Sequence, residues 1–240
     1  MMHRVAVLTR HNLLLRLRDP SHLVSYLVMP MVLMLVFKPM FGEAVQPVTG
    51  LLVMFSVLSM ADVATATLTE RVWHTWDRVR ATRASVLELV VAKAVPVFCI
   101  LLAQQALLLV YGVVAVGLRT QGSAWPLVLA VCTWCFALLG LGTAIAAVVR
   151  SHGELSTISN VGALAVSALG GALVPVAMMP DWAQAIAPIS PGYWATTALR
   201  AAVRGEADWR AAAILTGLGL VSGTFACWRL KRGWGRSSVL

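Results

Sequence analysis

The sequence predicts an all-α integral membrane protein with six transmembrane helices, and three observations carry that expectation. Of 240 residues, 59% are hydrophobic and only 12% are charged, with a mean hydropathy of +0.81, whereas a soluble domain is about 25% charged. The charges are separated by six long charge-free stretches, each near the roughly 20 helical residues needed to cross a bilayer core of about 30 Å. Lys and Arg are divided unequally between alternate connections, as multi-pass chains divide them. The excess of nineteen Lys and Arg over ten Asp and Glu, a net +9, in so apolar a chain suits anionic lipid headgroups and argues against nucleic acid as a partner.

Taken in order, residues 1–19 interleave Val5, Leu8, Leu13, Leu14, Leu15 and Leu17 with Arg4, Arg10, Arg16 and Arg18, the pattern of a helix lying in the membrane interface. About twenty residues precede the first apolar stretch, and Lys38-Pro39 follows it in place of a small-residue cleavage site, which argues against a secretory signal peptide. The first span, 20–37, is the charge-free stretch between Asp19 and Lys38. The second, 46–68, starts between Glu43 and Asp62 and continues past Asp62 towards Glu70. The third, 94–117, follows Lys93. The fourth, 126–149, lies between Arg119 and Arg150, and the fifth, 155–176, between Glu154 and Asp181. The sixth, 211–228, is short at 18 residues but contains no proline and sits between Arg210 and Arg229.

With the N-terminus inside, the inner connections hold fourteen of the nineteen basic residues and the outer ones only Lys38, Arg119, Arg200, Arg204 and Arg210. Both termini are therefore expected in the cytoplasm, and the whole chain, 1–240, reads as one transmembrane domain.

The chain carries no G-x-x-x-x-G-K-[ST], so it does not cradle nucleotide phosphates in a P-loop. There is no H-E-x-x-H, G-x-S-x-G or G-x-G-x-x-G, and His3, His11, His22, His74 and His152 fall in separate segments, so neither a metal site nor a catalytic residue is assigned. Cys132 and Cys135 form a C-x-x-C inside the fourth span, without a second pair at zinc-site spacing. They read as packing residues, and Cys99 and Cys227 likewise read as buried in spans with no disulfide framework.

Asp62 is the acidic residue well inside a span, where a carboxylate costs roughly 2.5–3.5 kcal/mol on insertion scales. It stands either as a lining of a substrate path or proton site, or as a carboxylate paired with a basic or amide side chain on a neighbouring helix. Gln104, Gln105 and Asn160 are in-span amides of the partner kind, or ordinary interhelical hydrogen-bonding groups. Ala163, Ser167 and Gly171 recur every four positions, and Gly219 with Gly223 makes a G-x-x-x-G. Such small-residue stripes serve either a dimer interface or packing within the chain.

Two segments carry a resemblance. The mixed-charge segment 70–93 runs Glu70-Arg71-Val72-Trp73-His74-Thr75-Trp76-Asp77-Arg78-Val79-Arg80-Ala81-Thr82-Arg83 and ends in Ala92-Lys93. A second runs Gly170-Gly171-Ala172-Leu173-Val174-Pro175, then Met179-Pro180-Asp181-Trp182, then Ser190-Pro191-Gly192-Tyr193-Trp194 through Ala198-Leu199-Arg200. Together they resemble the ABC-2 type permeases, the membrane subunits of bacterial ATP-binding-cassette drug and antibiotic exporters of the daunorubicin-resistance kind. Glu70, Arg71, Thr75, Asp77, Thr82 and Lys93 match the family's coupling segment. Val72, His74, Arg83 and Ala92 replace its Glu, Gly, Pro and Gly.

The resemblance implies a cytoplasmic coupling helix between spans two and three, over 70–93, and an outer re-entrant hairpin over 180–200 between spans five and six. It implies a permease subunit of an ATP-driven exporter that is not itself an enzyme. A second permease copy, identical or homologous, and separate ABC ATPase subunits would be its partners, with ATP and Mg held there and no cofactor on this chain. Glu70, Arg71, Thr75, Asp77 and Arg78 would meet the ATPase, and Asp62 and Asn160 are candidates for the substrate path. A hydrophobic drug or antibiotic crossing the cytoplasmic membrane is the expected cargo; a lipid or lipid-linked polysaccharide is the alternative. The rival from another class is a proton-coupled secondary transporter using Asp62, although the internal repeats common to such transporters are not visible.

Overall fold

The computed structural model describes residues 21–72 and 86–233, with side chains over 26–61, 64, 65, 68 and 94–229. Among these the chain folds into eight α-helices and no strands: α1 Ser21–Phe41, α2 Val45–Val72, α3 Val86–Tyr111, α4 Trp125–Val148, α5 His152–Leu169, α6 Asp181–Ile186, α7 Pro191–Val203 and α8 Trp209–Gly233. An all-helical result follows from the sequence, because a segment surrounded by hydrocarbon must satisfy its own backbone N–H and C=O groups. Three stretches are long and apolar enough to cross a membrane: Ala94–Val116, Trp125–Val148 and Trp209–Arg229. Tyr26–Phe41 and Val45–Ala61 are shorter apolar helices. The interfacial helix expected over 1–19 lies outside the described residues.

Local chemistry sets the helix ends. Gly42, at φ +68°, follows α1 and takes the left-handed conformation that a side chain resists. A five-residue π turn, Gly112–Val116, prolongs α3 and closes when Leu118 N donates to Gly112 O at 2.8 Å. Pro126 sits in the first turn of α4, where its missing N–H costs nothing. Ser151 caps α5, its Oγ accepting from Glu154 N at 3.2 Å, while the Glu154 carboxylate accepts from Arg150 N at 2.9 Å. Asp208 caps α8 by accepting from Ala211 N at 2.9 Å.

The span expected over 155–176 stops at Leu169. Gly171 has φ +75°, and Ala172 N donates to Ser167 O at 3.0 Å, so the chain leaves the helix axis at Gly170–Gly171. Residues 170–190 make an excursion containing α6 and two short 3₁₀ turns, after which α7 returns beside the end of α5.

The long helices alternate in direction. At one end, Lys38 lies beside Gly117, Gln121 N donates to Val203 O at 2.8 Å, and the Trp125 and Trp209 rings stand 5.8 Å apart. This tryptophan end therefore gathers the ends of α1, α3 and α7 with the starts of α4 and α8. The other end packs Ala64 and Leu68 of α2 with Ala146 and Val149 of the α4 terminus and Leu155 of α5.

At the centre stands α2, buried from Val48 to Val53 and packed against α1, α3, α4, α5 and α7. Helices in lipid gain little from hiding apolar surface from one another and depend on close packing. One close approach joins α4 to α8. A Cβ on Gly140 would lie 2.5 Å from Gly219 O, and one on Gly219 would strike the Phe136 ring at 2.6 Å. Gly223 has open space around it, so only one half of the G-x-x-x-G enters this contact.

Candidate functional site

Among the described residues, a densely bonded polar group joins α2, α7 and the turn after α5. A helix ending at Leu169 leaves its last carbonyls without intrahelical donors, and side chains from two other helices supply them. Ser190 Oγ donates to Val166 O at 2.9 Å and Thr196 Oγ1 to Gly170 O at 2.7 Å. Arg200 Nη2 donates to Gly171 O at 2.7 Å and also to Gln46 Oε1. Gln46 Nε2 in turn donates to Gly171 O at 3.1 Å and Ala172 O at 3.4 Å.

Arg200 has no carboxylate partner among the described residues; its guanidinium rests on the Gly171 carbonyl, just beyond the negative end of α5. Burial, and then the nearby Arg204, lower its pKa from the ordinary value, yet an arginine starts so high that the guanidinium stays charged at neutral pH. Its Nε is buried without an acceptor. The turn is pressed onto α2: a Cβ on Gly50 would lie 1.9 Å from Ala172 O.

Around this node lies an aromatic girdle. Trp125 and Trp209 stack at the starts of α4 and α8, the Arg210 guanidinium sits 5.6 Å from the Trp194 ring centre, and Trp194 Nε1 donates to Pro188 O at 2.8 Å. Trp182 on α6 is exposed. Trp and Tyr collect where the rings rest in hydrocarbon and the N–H or O–H reaches water.

At the opposite end, Glu70 and Arg71 fall in the final turn of α2, which runs down beside the α4–α5 connection and its exposed Arg150, His152 and Glu154. Thr75, Asp77 and Arg78, the remaining expected ATPase contacts, lie outside the described residues, as do the side chains of Glu70 and Arg71. Asp62 is placed in α2 by its backbone, one helical turn before the exposed Thr65 and between the buried Met60 and Ala64; its side chain also lies outside the described residues.

Asn160 points away from the bundle, its Nδ2 donating to Ser156 Oγ at 3.3 Å, in a face that includes the exposed Ile158, Val161 and Leu164. Ala163 and Ser167, one and two turns further along α5 than Asn160, are buried within the chain, and Gly171 is buried in the turn. That small-residue stripe thus closes an intrachain contact, and the surface α5 leaves free carries Asn160.

Gln104 donates to Tyr26 O at 3.3 Å and bridges α3 to α1. Gln105 is fully buried, and neither amide atom has a partner. Between α4 and α2, the fully buried Trp134 donates through Nε1 to Ser56 Oγ at 2.7 Å, and the Ser56 hydroxyl donates in turn to Val53 O at 2.7 Å. Cys135 is buried in the core and Cys132 half-buried. Cys99 is exposed on the surface of α3 and Cys227 half-buried, both inside the apolar stretches Ala94–Val116 and Trp209–Arg229. Among the described residues no group of three or more His, Cys, Asp or Glu is placed to hold a metal ion.

Gln46 and Ser190 escape a reading of the sequence because an amide at a span boundary and a serine before a proline are common. The clue was the Gly170-Gly171 pair, which breaks a helix and leaves carbonyls that need donors.

A search of curated proteins gives no match. The family model described as "ABC-2 type transporter" matches residues 3–203, which takes in α1 to α7, the mixed-charge segment and the capped turn. With the all-helical bundle and its membrane-length apolar helices, this match establishes that the chain belongs to the ABC-2 type transporter family.

Proposed function

We propose that this chain is the membrane subunit of an ATP-binding-cassette exporter, working as two permease copies, identical or homologous, with separate ABC ATPase subunits that hold ATP and Mg. The observation that carries this reading is the family match over residues 3–203. Supporting it, α2 leads directly into the mixed-charge segment at the end of the bundle that also carries Arg150. Six of the helices, α1 to α5 and α8, would cross a bacterial cytoplasmic membrane. The tryptophan end would face outwards and both termini inwards, in keeping with the fourteen-to-five division of basic residues.

Glu70, Arg71, Thr75, Asp77 and Arg78 would dock on the ATPase and transmit its closure to α2. The exposed face of α5 bearing Asn160, with Asp62 on α2, would border the path between copies. A hydrophobic drug or antibiotic is the favoured cargo, because the exposed α5 face mixes Asn160 with Ile158, Val161 and Leu164, a surface suited to large apolar molecules with few polar groups.

The test is to co-express the chain with each ABC ATPase encoded beside it, purify through a tag on this subunit, and measure composition and ATP hydrolysis. A stable complex whose ATPase is stimulated by hydrophobic drugs supports the proposal. Recovery of the chain alone would overturn it in favour of proton-coupled transport through Asp62, and stimulation by lipid-linked sugars alone would replace the cargo.

A further inference from the structure

We propose that Gln46 and Arg200 form a releasable latch that holds the seam between α2 and α5 shut at the tryptophan end. The inference begins with unequal bonding. The α5 terminus and the returning α7 are joined by three donors, Ser190 to Val166 O, Thr196 to Gly170 O and Arg200 to Gly171 O. These elements form one body. By contrast, the described side-chain hydrogen bonds between α2 and that body all run through Gln46, which accepts from Arg200 and donates to Gly171 O and Ala172 O at 3.1 and 3.4 Å.

A neutral amide is a weak tether compared with a carboxylate facing the same guanidinium, since hydrogen bonds between two ionised groups are shorter and stronger. A permanent clasp at this position would call for Glu. Gln46 offers an acceptor that Arg200 can give up without leaving a buried negative charge behind.

The seam is also incompletely satisfied in its closed form. Five buried side-chain polar atoms lack partners among the described residues, and three of them belong to this region: Ser159 Oγ, Ser167 Oγ and Arg200 Nε. Ser159 and Ser167 lie with Leu155 and Ala163 on the buried face of α5, which packs against α2. Buried orphans of this sort cost free energy that is recovered when water or another acceptor reaches them. One closed seam with three such atoms behind a single neutral amide is built to open. The latch is a property of this chain; its release during transport rests on the exporter reading.

The test uses the full chain in lipid nanodiscs, with Cys99, Cys132 and Cys227 replaced by Ala and with Ser167→Cys as reporter. Ser167 is fully buried and lies one turn from the capped carbonyls. The buried Cys135 remains as an internal control for loss of fold. The rate of modification by a water-soluble maleimide is read at each cysteine by peptide mass.

Gln46→Ala should raise modification of the Ser167→Cys site threefold or more while Cys135 stays protected, and Gln46→Glu should lower it below the parent rate. A change smaller than threefold in Gln46→Ala, or a rise with Gln46→Glu, overturns the latch. Where Gln46→Ala exposes Cys135 and so has lost its fold, Gln46→Glu decides alone: a lowered rate supports the latch, and an unchanged or raised rate overturns it. In the complex with its ATPase, ATP should increase modification in the parent and not in Gln46→Glu. An equal increase in both would show that the seam opens without releasing this contact, which overturns the gating role. Failure to obtain any ATPase complex would count against the exporter reading and leave the chain-alone result standing.

Discussion

Replacing Gly50 with alanine adds a single methyl group at the tightest contact in the bundle. The new Cβ would stand 1.9 Å from Ala172 O and 2.8 Å from its carbonyl carbon, whereas real Cβ atoms essentially never come closer than 3.0 Å to such an atom. The obstacle is backbone, so no rotamer change relieves it, and the turn has to withdraw by about 1 Å. Gln46 Nε2, now 3.1 and 3.4 Å from the Gly171 and Ala172 carbonyls, would then lie beyond hydrogen-bonding distance of both. Overpacking costs about 1–3 kcal/mol, and each lost bond adds about 0.5–1.5 kcal/mol. The better helix propensity of alanine returns about 0.5–1 kcal/mol. The net expectation is a loss of about 3 kcal/mol, measured by reversible unfolding in mixed detergent micelles followed by circular dichroism. Gly162→Ala is the control: it lies in α5 with nothing within 4 Å and should gain about 0.5–1 kcal/mol. Should Gly50→Ala leave stability within about 0.5 kcal/mol of that control, the close approach of α2 to the turn would be wrong.

The buried Trp134–Ser56 bond should yield a coupling of about 1 kcal/mol in a cycle of Trp134→Phe and Ser56→Ala unfolded the same way, towards the upper part of the range found for membrane helices; a coupling under about 0.3 kcal/mol would mean the bond adds nothing net. Gln105→Met keeps the volume while removing two unpartnered amide atoms and should stabilise the chain by about 1 kcal/mol, whereas a comparable loss would reveal an acceptor or donor for that amide. Reversing charge at both Asp77 and Arg78 should reduce co-purification with the ATPase at least fivefold without lowering the amount of chain inserted in the membrane; undiminished recovery of the ATPase would remove these residues from the docking surface.

Charge spacing locates a helix well when a charge marks each end. The span expected over 126–149 is the helix Trp125–Val148, and that over 211–228 lies within Trp209–Gly233. It fails for α5, because no charged residue intervenes between Glu154 and Asp181 to mark the end at Leu169. That end is made by backbone conformation at Gly171 and by donors from α2 and α7, none of which alters hydropathy. Small-residue periodicity was likewise two-sided: it found the face of α5 that packs closely, while the partner, α2 of the same chain, depends on three-dimensional placement. Arg200 shows the same limit. In the sequence it is one of five outer basic residues, and its meaning comes from Gln46, 154 positions away. The matched family pattern covers the mixed-charge segment and the capped turn alike, so residue identity was legible there before the bonding was.

The pairing of α4 with α8 has a consequence for how the protein is made. These two helices run side by side in the same direction, and their glycines meet at Gly140 and Gly219, yet everything from α5 to α7 is synthesised between them. After Val148 is added, about 60 more residues precede Trp209, which takes roughly 3–12 s at ribosomal rates of about 5–20 residues per second. Throughout that interval the groove of α4 at Gly140 waits for its complement, and a helix groove lined by glycine is open to any passing small-residue surface in the bilayer. Biogenesis of this subunit is therefore most vulnerable late. A ribosome that stalls in α7 would leave a chain whose α4 is still uncovered, a natural substrate for membrane quality control.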